Sequence, residues 1–330
     1  MKVAVTGVGG GVGQSIIKSL QGTEYDVIGI DSWIYASGLY ALKKSYIGPI
    51  ANDPLYIERI TEICKRENCE VLFPGSDNEL FPLSYNSEKL ERNGIKPIVS
   101  NPDVVNIADD KMETQMFLKR NNFPFLKTYI LNEYKEELDY PIILKPKSGG
   151  ARSVGVYLVK NKLELTYYSS ILDKTNYVVQ EYINGEEMTC GTMSLDGNCC
   201  CTIMMKRELR CGDTYKAFVE INDELSEYLI QVINRLRPFG PCNVQLRIKD
   251  NVPYIFEFNA RCSGTTASRA LAGFNEPKMV LDYLKEGKLP EPPNIRKIAI
   301  FRYWKELPVE YDILKNVAEK GSYSGEKINL

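Results

Sequence analysis

Gln245, Glu257 and Asn259 carry side-chain oxygens within one short stretch, PCNVQLRIKDNVPYIFEFNARCS at 241–263, and Arg261 follows two residues after the last of them. Two β-type runs, 243–248 and 254–259, flank a turn at Asp250-Asn251, which is the pattern of a hairpin. Side chains alternate faces along a strand, so Val244, Leu246 and Ile248 share one face and Asn243, Gln245 and Arg247 the other. On the second run Tyr254, Phe256 and Phe258 are expected on the apolar face, opposite Glu257 and Asn259. A two-residue turn alone would place Gln245 and Glu257 on opposite faces, so their convergence requires an odd-length turn or a bulge. Three converging oxygens with a nearby arginine suit a hard divalent cation whose remaining ligands come from a phosphate. The plain alternative is a hairpin with one solvated polar face.

Composition narrows the chemistry. The chain has 330 residues and no histidine, which removes Ser-His-Asp and Cys-His catalysis and histidine-bound zinc. Reactivity must rest on carboxylates, lysine, arginine, backbone amides or a bound metal. The 44% hydrophobic and 25% charged content is that of a globular protein, long enough for two or three packed units. A net charge of −2 offers no general attraction for nucleic acid. No apolar run has membrane-spanning length and MKVAVTG lacks a leader layout, so the expectation is a cytoplasmic protein without membrane or nucleic-acid partners. The nine cysteines, including the run Cys199-Cys200-Cys201, read as reduced and mostly buried thiols.

The elements that must position these residues begin with a βαβ pattern. A strand at 2–6 leads into Gly7-Val8-Gly9-Gly10-Gly11-Val12-Gly13, a helix at 14–20, and a strand at 26–30 ending in Asp31. Glycines at a strand-to-helix turn with an acid about 20 residues on fit a dinucleotide-binding unit. An NAD(P)-dependent oxidoreductase is therefore an alternative reading, although no histidine is available and the Tyr-x-x-x-Lys spacings at Tyr40/Lys44 and Tyr85/Lys89 look like chance. With the helix at 57–67 and strands at 71–74 and 97–100, this part is expected to be a doubly wound parallel sheet. Gly75-Ser76-Asp77-Asn78-Glu79 lies at a strand's carboxyl end, as a ligand loop or as a helix cap by Ser76 or Asp77.

Further on, a single helix is expected over 106–121, with Asp109-Asp110-Lys111 near its start. A strand at 141–145 carries Lys145 into Pro146-Lys147-Ser148-Gly149-Gly150-Ala151-Arg152-Ser153. Such a loop can close over a polyphosphate with its backbone amides while the lysines neutralise charge. It lacks P-loop spacing and joins strand to strand. The strand at 176–182 ends in Gln180-Glu181, and Ile183-Asn184-Gly185-Glu186-Glu187 can present backbone groups to an adenine and a carboxylate to a ribose.

Taken in order, DDK at 109–111, ILKPKSGGARSVGV at 143–156, VVQEYINGEE at 178–187 and NVQ…EFNARCSG at 243–264 resemble the ATP-grasp superfamily. Within it the chain is similar to the large subunit of carbamoyl-phosphate synthase. The resemblance implies α/β and α+β architecture: a Rossmann-like domain at 1–105, then an ATP-grasp fold whose two α+β subdomains, 106–183 and 184–290, grip ATP. An extension at 291–330 is expected as an added strand and helix without chemistry.

By the same resemblance, Lys111, Lys145, Lys147 and the loop Ser148, Gly149, Gly150 to Ser153 would handle phosphates. Gln180, Glu181 and Ile183 would form the adenine hinge, and Glu187 would hold the ribose. Gln245, Glu257 and Asn259 would ligate Mg²⁺ or Mn²⁺, and Arg261 would act with Lys145 on the transferring phosphoryl group. Arg207 is a candidate for a substrate carboxylate. The implied activity is an ADP-forming carbon–nitrogen ligase that activates a small-molecule carboxylate for capture by an amine, possible as a homodimer. A carbamoyl-phosphate synthase-like kinase and a non-catalytic nucleotide-binding protein are the other readings that the resemblance leaves open.

Overall fold

A computed structural model describes residues 1–150, 153–303 and 305–326. Three sheets organise the chain. The first is built on Lys2–Thr6, a short run whose last four residues are buried, paired in parallel with Asp26–Asp31 on one side and Val71–Phe73 on the other. Helix Gly11–Ser19 crosses this sheet at close range. A Cβ on Gly13 would stand 2.2 Å from the carbonyl oxygen of Gly7, so only glycine lets the helix approach so near. The sheet is not wholly parallel: Ser322–Ser324 returns from the far end of the chain to pair antiparallel with Lys44–Ile47.

The second sheet has four strands, Thr128–Ile130, Tyr177–Glu181, Ile142–Pro146 and Tyr157–Val159, in that order. It closes its own small core around Leu144, Val159 and Val179. The third has six strands: Val252–Asn259, Gly240–Lys249, Glu186–Leu195, Asn198–Arg210, Asp213–Glu220 and Ala299–Phe301. One of its faces packs helix Asp223–Leu236 with Lys111–Arg120. On the other, Met193, Ile203 and Met205 share a continuous core with Val3 and Val5 of the first sheet. That shared core sets the large sheet and the N-terminal unit against each other.

Several expected elements come out differently. The single helix expected over 106–121 is two, Pro102–Asp109 and Lys111–Arg120, because Asp110 leaves helical geometry and caps the second. Its Oδ1 accepts from the amides of Met112 and Glu113 at 2.8 and 3.3 Å. The tail at 291–330 contributes two strands, not one, and these join different sheets.

The hairpin has both of the features its residues demand. Asp250 and Asn251 take positive φ of 49° and 61°, the two-residue turn that matches strand twist. Lys249 pairs with Val252 and Leu246 with Ile255, but Gln245 pairs with Glu257, leaving Phe256 as an extra residue in a bulge. The bulge corrects the expected apolar face. Ile255 and Phe258 enter the core, while Tyr254 and Phe256 line the cleft.

Gly191, in the strand beside the hairpin, is a second tight point. A Cβ there would lie 2.7 Å from Arg269 Nη1 and 2.8 Å from Glu276 Oε1, both fully buried. Gly191→Ala should therefore destabilise the fold by about 1–3 kcal/mol, read as a lower midpoint in thermal or urea unfolding. A variant as stable as the parent would mean that the ion pair can move aside.

Candidate active site

A cleft of about 670 Å³ opens where the three sheets meet. Of the residues expected to act, Lys111, Lys145, Gly149, Gly150, Ser153, Gln180, Glu181, Ile183, Glu187, Arg207, Gln245, Glu257, Asn259 and Arg261 all line it. Lys147 and Ser148 stand off its wall, and Lys147 pairs with Asp110 at 3.3 Å. Ala151 and Arg152 of the expected phosphate loop lie outside the described residues.

The hairpin face is wired through its side chains. Asn259 Nδ2 donates to Glu257 Oε1 at 2.9 Å, and Asn259 Oδ1 accepts from Gln245 Nε2 at 3.2 Å and from Asn243 Nδ2 at 2.9 Å. Without the bulge, Glu257 would oppose Val244 and point into the core. One carboxylate and two amides, linked one to the next through Asn259, carry side-chain oxygens on one face. Such a set fits a hard cation that takes its other ligands from a polyphosphate and water.

Two lysines face this hairpin. Lys145 leaves its strand end with Nζ 3.1 Å from the carbonyl oxygen of Phe256, so the bulged residue receives it. Burial pushes its ammonium down to about 7; Glu257 works against that shift and Lys111 adds to it. Lys111 Nζ donates to the carbonyls of Gly149, at 2.8 Å, and Asp109, at 3.1 Å, while the Gly149 amide donates to Asp109 Oδ1 at 3.0 Å. These bonds lace the root of the small-residue loop to the start of helix Lys111–Arg120.

At the other end of the cleft, Gln180 Nε2 donates to Thr128 Oγ1 at 2.9 Å. Arg247 donates to the Ile183 carbonyl at 3.1 Å and to Glu187 Oε2 at 3.1 Å. Arg207 holds the other Glu187 oxygen at 3.0 Å and also donates to Gln245 Oε1. Arg207, expected to be available for a substrate carboxylate, is thus engaged with Glu187 and Gln245, and links the hinge region to the hairpin.

Arg261 makes a two-pronged pair with Asp77, Nε to Oδ1 at 2.7 Å and Nη2 to Oδ2 at 2.6 Å. Burial, the largest single effect, would lower the guanidinium's value, but the charge and hydrogen bonds of Asp77 together with the charge of Glu257 raise it on balance. Asp77 can reach out because its neighbours do the capping. Glu79 Oε2 accepts from the amides of Gly75 and Ser76, both at 3.0 Å, and burial raises its carboxyl. The loop at 75–79 is thus a cap and a cleft wall at once. The acid of the βαβ unit, Asp31, is spent on its own loop, accepting from Gly9 N at 2.7 Å and Trp33 N at 3.0 Å.

Sequence reasoning missed four participants. Arg247 and Asn243 sat on the polar face of the strand pattern but received no role. Arg269 reaches Asn243 from a helix outside every motif. Arg302, from the tail expected to lack chemistry, lines the cleft and donates to the Gly264 carbonyl. Only the alternation of the hairpin strand signalled the first two, and nothing local signalled the others.

Comparison with known proteins bears on the fold that carries this cleft. Residues 173–307 match the family described as "ATP-grasp in the biosynthetic pathway with Ter operon", residues 3–98 a PylC-like N-terminal domain, and residues 111–217 the D-Ala-D-Ala ligase C-terminus. The carbamoyl phosphate synthase large chain of Pseudothermotoga lettingae is 25% identical over 288 residues, covering 79% of this chain and 25% of that one. The chain thus spans about a quarter of the length of that relative. D-alanine–D-alanine ligase A of Clostridium perfringens is 28% identical over 158 residues, covering 42% of this chain and 52% of its own. Among solved structures, the N5-carboxyaminoimidazole synthetase of Staphylococcus aureus complexed with ADP aligns with TM-score 0.74 and 18% identity, over 97% of this chain and 86% of that one. The L-amino acid ligase of Bacillus licheniformis aligns with TM-score 0.66 and 16% identity, over 90% and 78%. The fold is an ATP-grasp fold, as the ordered motifs implied, and the N-terminal unit expected as Rossmann-like is the part that matches the PylC-like N-terminal domain.

The buried Lys145 has a measurable consequence. Its folded value, about 7, lies below that of the unfolded chain, so folding releases its proton between those two values. The cost of burying the charge is full below about pH 7 and fades as pH rises toward the unfolded value. Lys145→Met should therefore stabilise the protein by about 2 kcal/mol or more at pH 6 and by progressively less toward pH 10, measured by urea unfolding across pH. A gain that does not vary with pH would show that Lys145 titrates normally.

Proposed function

We propose that this chain is an ATP-dependent, ADP-forming carboxylate–amine ligase acting on small molecules in the cytoplasm. The observation that carries the reading is the bulged hairpin face. It sets Glu257, Asn259 and Gln245 across one cleft from the buried Lys145 and Lys111, with Arg261 at its end. On this reading the adenine lies along 180–183, the triphosphate runs between the two lysines and the loop rooted at Gly149, and Glu187 faces the ribose. The division at 1–105, 106–183 and 184–290 then separates a substrate-side unit from two jaws.

The reaction follows from the charges. An oxygen of the substrate carboxylate forms a bond to the γ-phosphorus as the bond to the β-bridging oxygen breaks, releasing ADP. Lys145 and Arg261 stand where negative charge spreads over the transferred group, in a buried site where each such interaction is strong. Asp77, with the Cys262 carbonyl that accepts from Nη1 at 2.8 Å, keeps the Arg261 fork in one orientation, leaving one N–H on each terminal nitrogen for phosphoryl oxygens. A Mg²⁺ or Mn²⁺ ion held by Glu257, Asn259 and Gln245 would supply charge neutralisation at the phosphates. The amine nitrogen then attacks the acyl carbon, inorganic phosphate leaves, and the amine gives up its proton. No protein nucleophile is required, in keeping with a chain without histidine.

ATP or ADP with Mg²⁺ should raise the melting temperature, because a ligand of the folded state alone stabilises it. NAD(P)H should leave the melting temperature unchanged. In a screen of carboxylate and amine pairs, ADP should appear only when both partners are present. The double change Glu257→Ala with Asn259→Ala should abolish that release, and its persistence would sink the metal assignment. Stabilisation by NAD(P)H in place of ATP would sink the ligase reading itself. Asp77→Asn should lower kcat about tenfold or more, the cost of one misaligned charge contact in a transition state, with ADP affinity little changed. Equal losses in kcat and ADP affinity would instead place Asp77 in ground-state binding.

A further inference from the structure

Among the described residues, six cations line the cleft, and half of them have their charge answered. Arg207 and Arg247 share Glu187, and Arg261 is paired with Asp77. Lys111, Lys145 and Arg302 have no ion-pair partner among the described residues. Each instead donates to a backbone carbonyl, of Gly149, Phe256 and Gly264 in turn. The two lysines stand by the hairpin and the small-residue loop, where the ligase reading runs the triphosphate. Arg302 stands apart from both, and phosphate binding leaves it without an anion.

The corner around it is built for one. Arg302 follows strand Ala299–Phe301, and its amide donates to the Tyr215 carbonyl at 3.0 Å, so the backbone is pinned to the large sheet. Its Nη2 meets the Gly264 carbonyl, which also accepts from Ser15 Oγ at 3.2 Å. That one bond leaves most of the guanidinium donors unspent. Gly264 and Gly11 line the cleft beside it, and a Cβ added at either would meet no atom within 4 Å. Gly11 starts helix Gly11–Ser19, which has no side-chain cap and no acid in its first turn, so the partial positive charge of that helix end is not cancelled locally. Burial, then the charges of Arg302 and Lys305, lower the ammonium of Lys18 on the same helix. Burial lowers the Arg302 guanidinium too, with Asp213 working against the shift. Open space and an excess of positive charge therefore coincide here, the condition that an anionic ligand relieves.

The carboxylate to be activated already has a cation, because it must meet the γ-phosphate beside Arg261. Arg302 rests on a carbonyl three residues further along, at most about 11 Å of chain from Arg261. Two guanidinium groups so spaced suit a small substrate with two acid groups. We infer that Arg302 is a specificity-determining residue that receives an anionic group, carboxylate or phosphate, other than the carboxylate being activated. The acid substrate can carry that group, as a diacid or a phosphorylated acid, and so can the amine substrate, as an amino acid. The inference rests on the ligase reading for the reacting carboxylate at Arg261, and on the charges of the cleft for the second anion.

Melting curves of the whole chain with Mg²⁺ and the non-hydrolysable analogue β,γ-imido-ATP, with small acids added, provide the test. Succinate, glutarate and phosphoglycolate probe the acid arm, against propionate, butyrate and glycolate. Amino acids probe the amine arm, against the amines that lack their carboxylate. Members of one arm should raise the melting temperature beyond the effect of the nucleotide, and their counterparts should not. Arg302→Gln should weaken that binding about tenfold or more, as loss of a charge-assisted contact does, while the effect of the nucleotide stays as in the parent. An arginine with a structural role only would instead lower the melting temperature of the free protein and leave the increment from the acid intact. Gly264→Val fills the space before the guanidinium and should cost the same increment; it decides the matter if Arg302→Gln does not fold. Acids that bind the folded variants as tightly as the parent, or a panel in which a second acid group adds nothing, overturn the inference and leave the ligase reading standing. A parent that the analogue does not stabilise overturns the ligase reading itself.

Discussion

The site depends on one extra residue in a β-ladder. Phe256 bulges out between the pairs Leu246–Ile255 and Gln245–Glu257, and the parity of every residue after it is reversed. Upstream of the bulge the tight Asp250-Asn251 turn dictates the register; downstream the polar residues dictate it, and both demands are met only because a strand may carry an unpaired residue. The same residue serves a second purpose. Its carbonyl receives the Lys145 ammonium and its ring lies 5.8 Å from it, so one irregularity aims the carboxylate and seats the cation opposite.

The cleft is crowded with charge that is mostly matched in place. Arg261 is held by Asp77, while Arg207 and Arg247 share Glu187. Lys147, off the cleft wall, is held by Asp110. Lys145 is different: it is buried, within hydrogen-bonding distance of a carbonyl, and correspondingly depressed toward neutrality. A buried cation with no ion-pair partner among the described residues is poised for an anion, because an incoming phosphate supplies the charge that the protein withholds. The paired arginines are instead fixed in orientation, which favours geometry over adaptability.

The tail is a brace as well as a terminus. Ala299–Phe301 extends the large sheet beside Asp213–Glu220, and Ser322–Ser324 closes the edge of the first sheet. The tail thus ends each sheet on that side in a short, three-residue edge strand. Together with the core shared by Val3, Val5, Met193 and Met205, it fixes the distance between the loop at 75–79 and the hairpin, and hence the Asp77–Arg261 pair across 184 residues of chain.

What the sequence by itself determined is local and periodic. The βαβ opening, the lysine at a strand end before a small-residue loop, and the polar face of the hairpin are all legible because strand alternation and turn chemistry are properties of adjacent residues. The need for either an odd-length turn or a bulge was legible too, since parity is arithmetic, but which of the two, and where, was not. Placing a bulge at Phe256, and so sending Tyr254 to the cleft and Ile255 to the core, took the packing of the helices behind the sheet. The break of the helix at Asp110 carried a local signal that the single-helix reading passed over, an acid followed three residues later by Glu113, which is the pattern of a helix N-terminus. Asp77, Arg269 and Arg302 lie far along the chain from the groups they touch, and no spacing rule relates them. Those contacts exist only where separately folded layers meet, which is why the tertiary structure alone decided them.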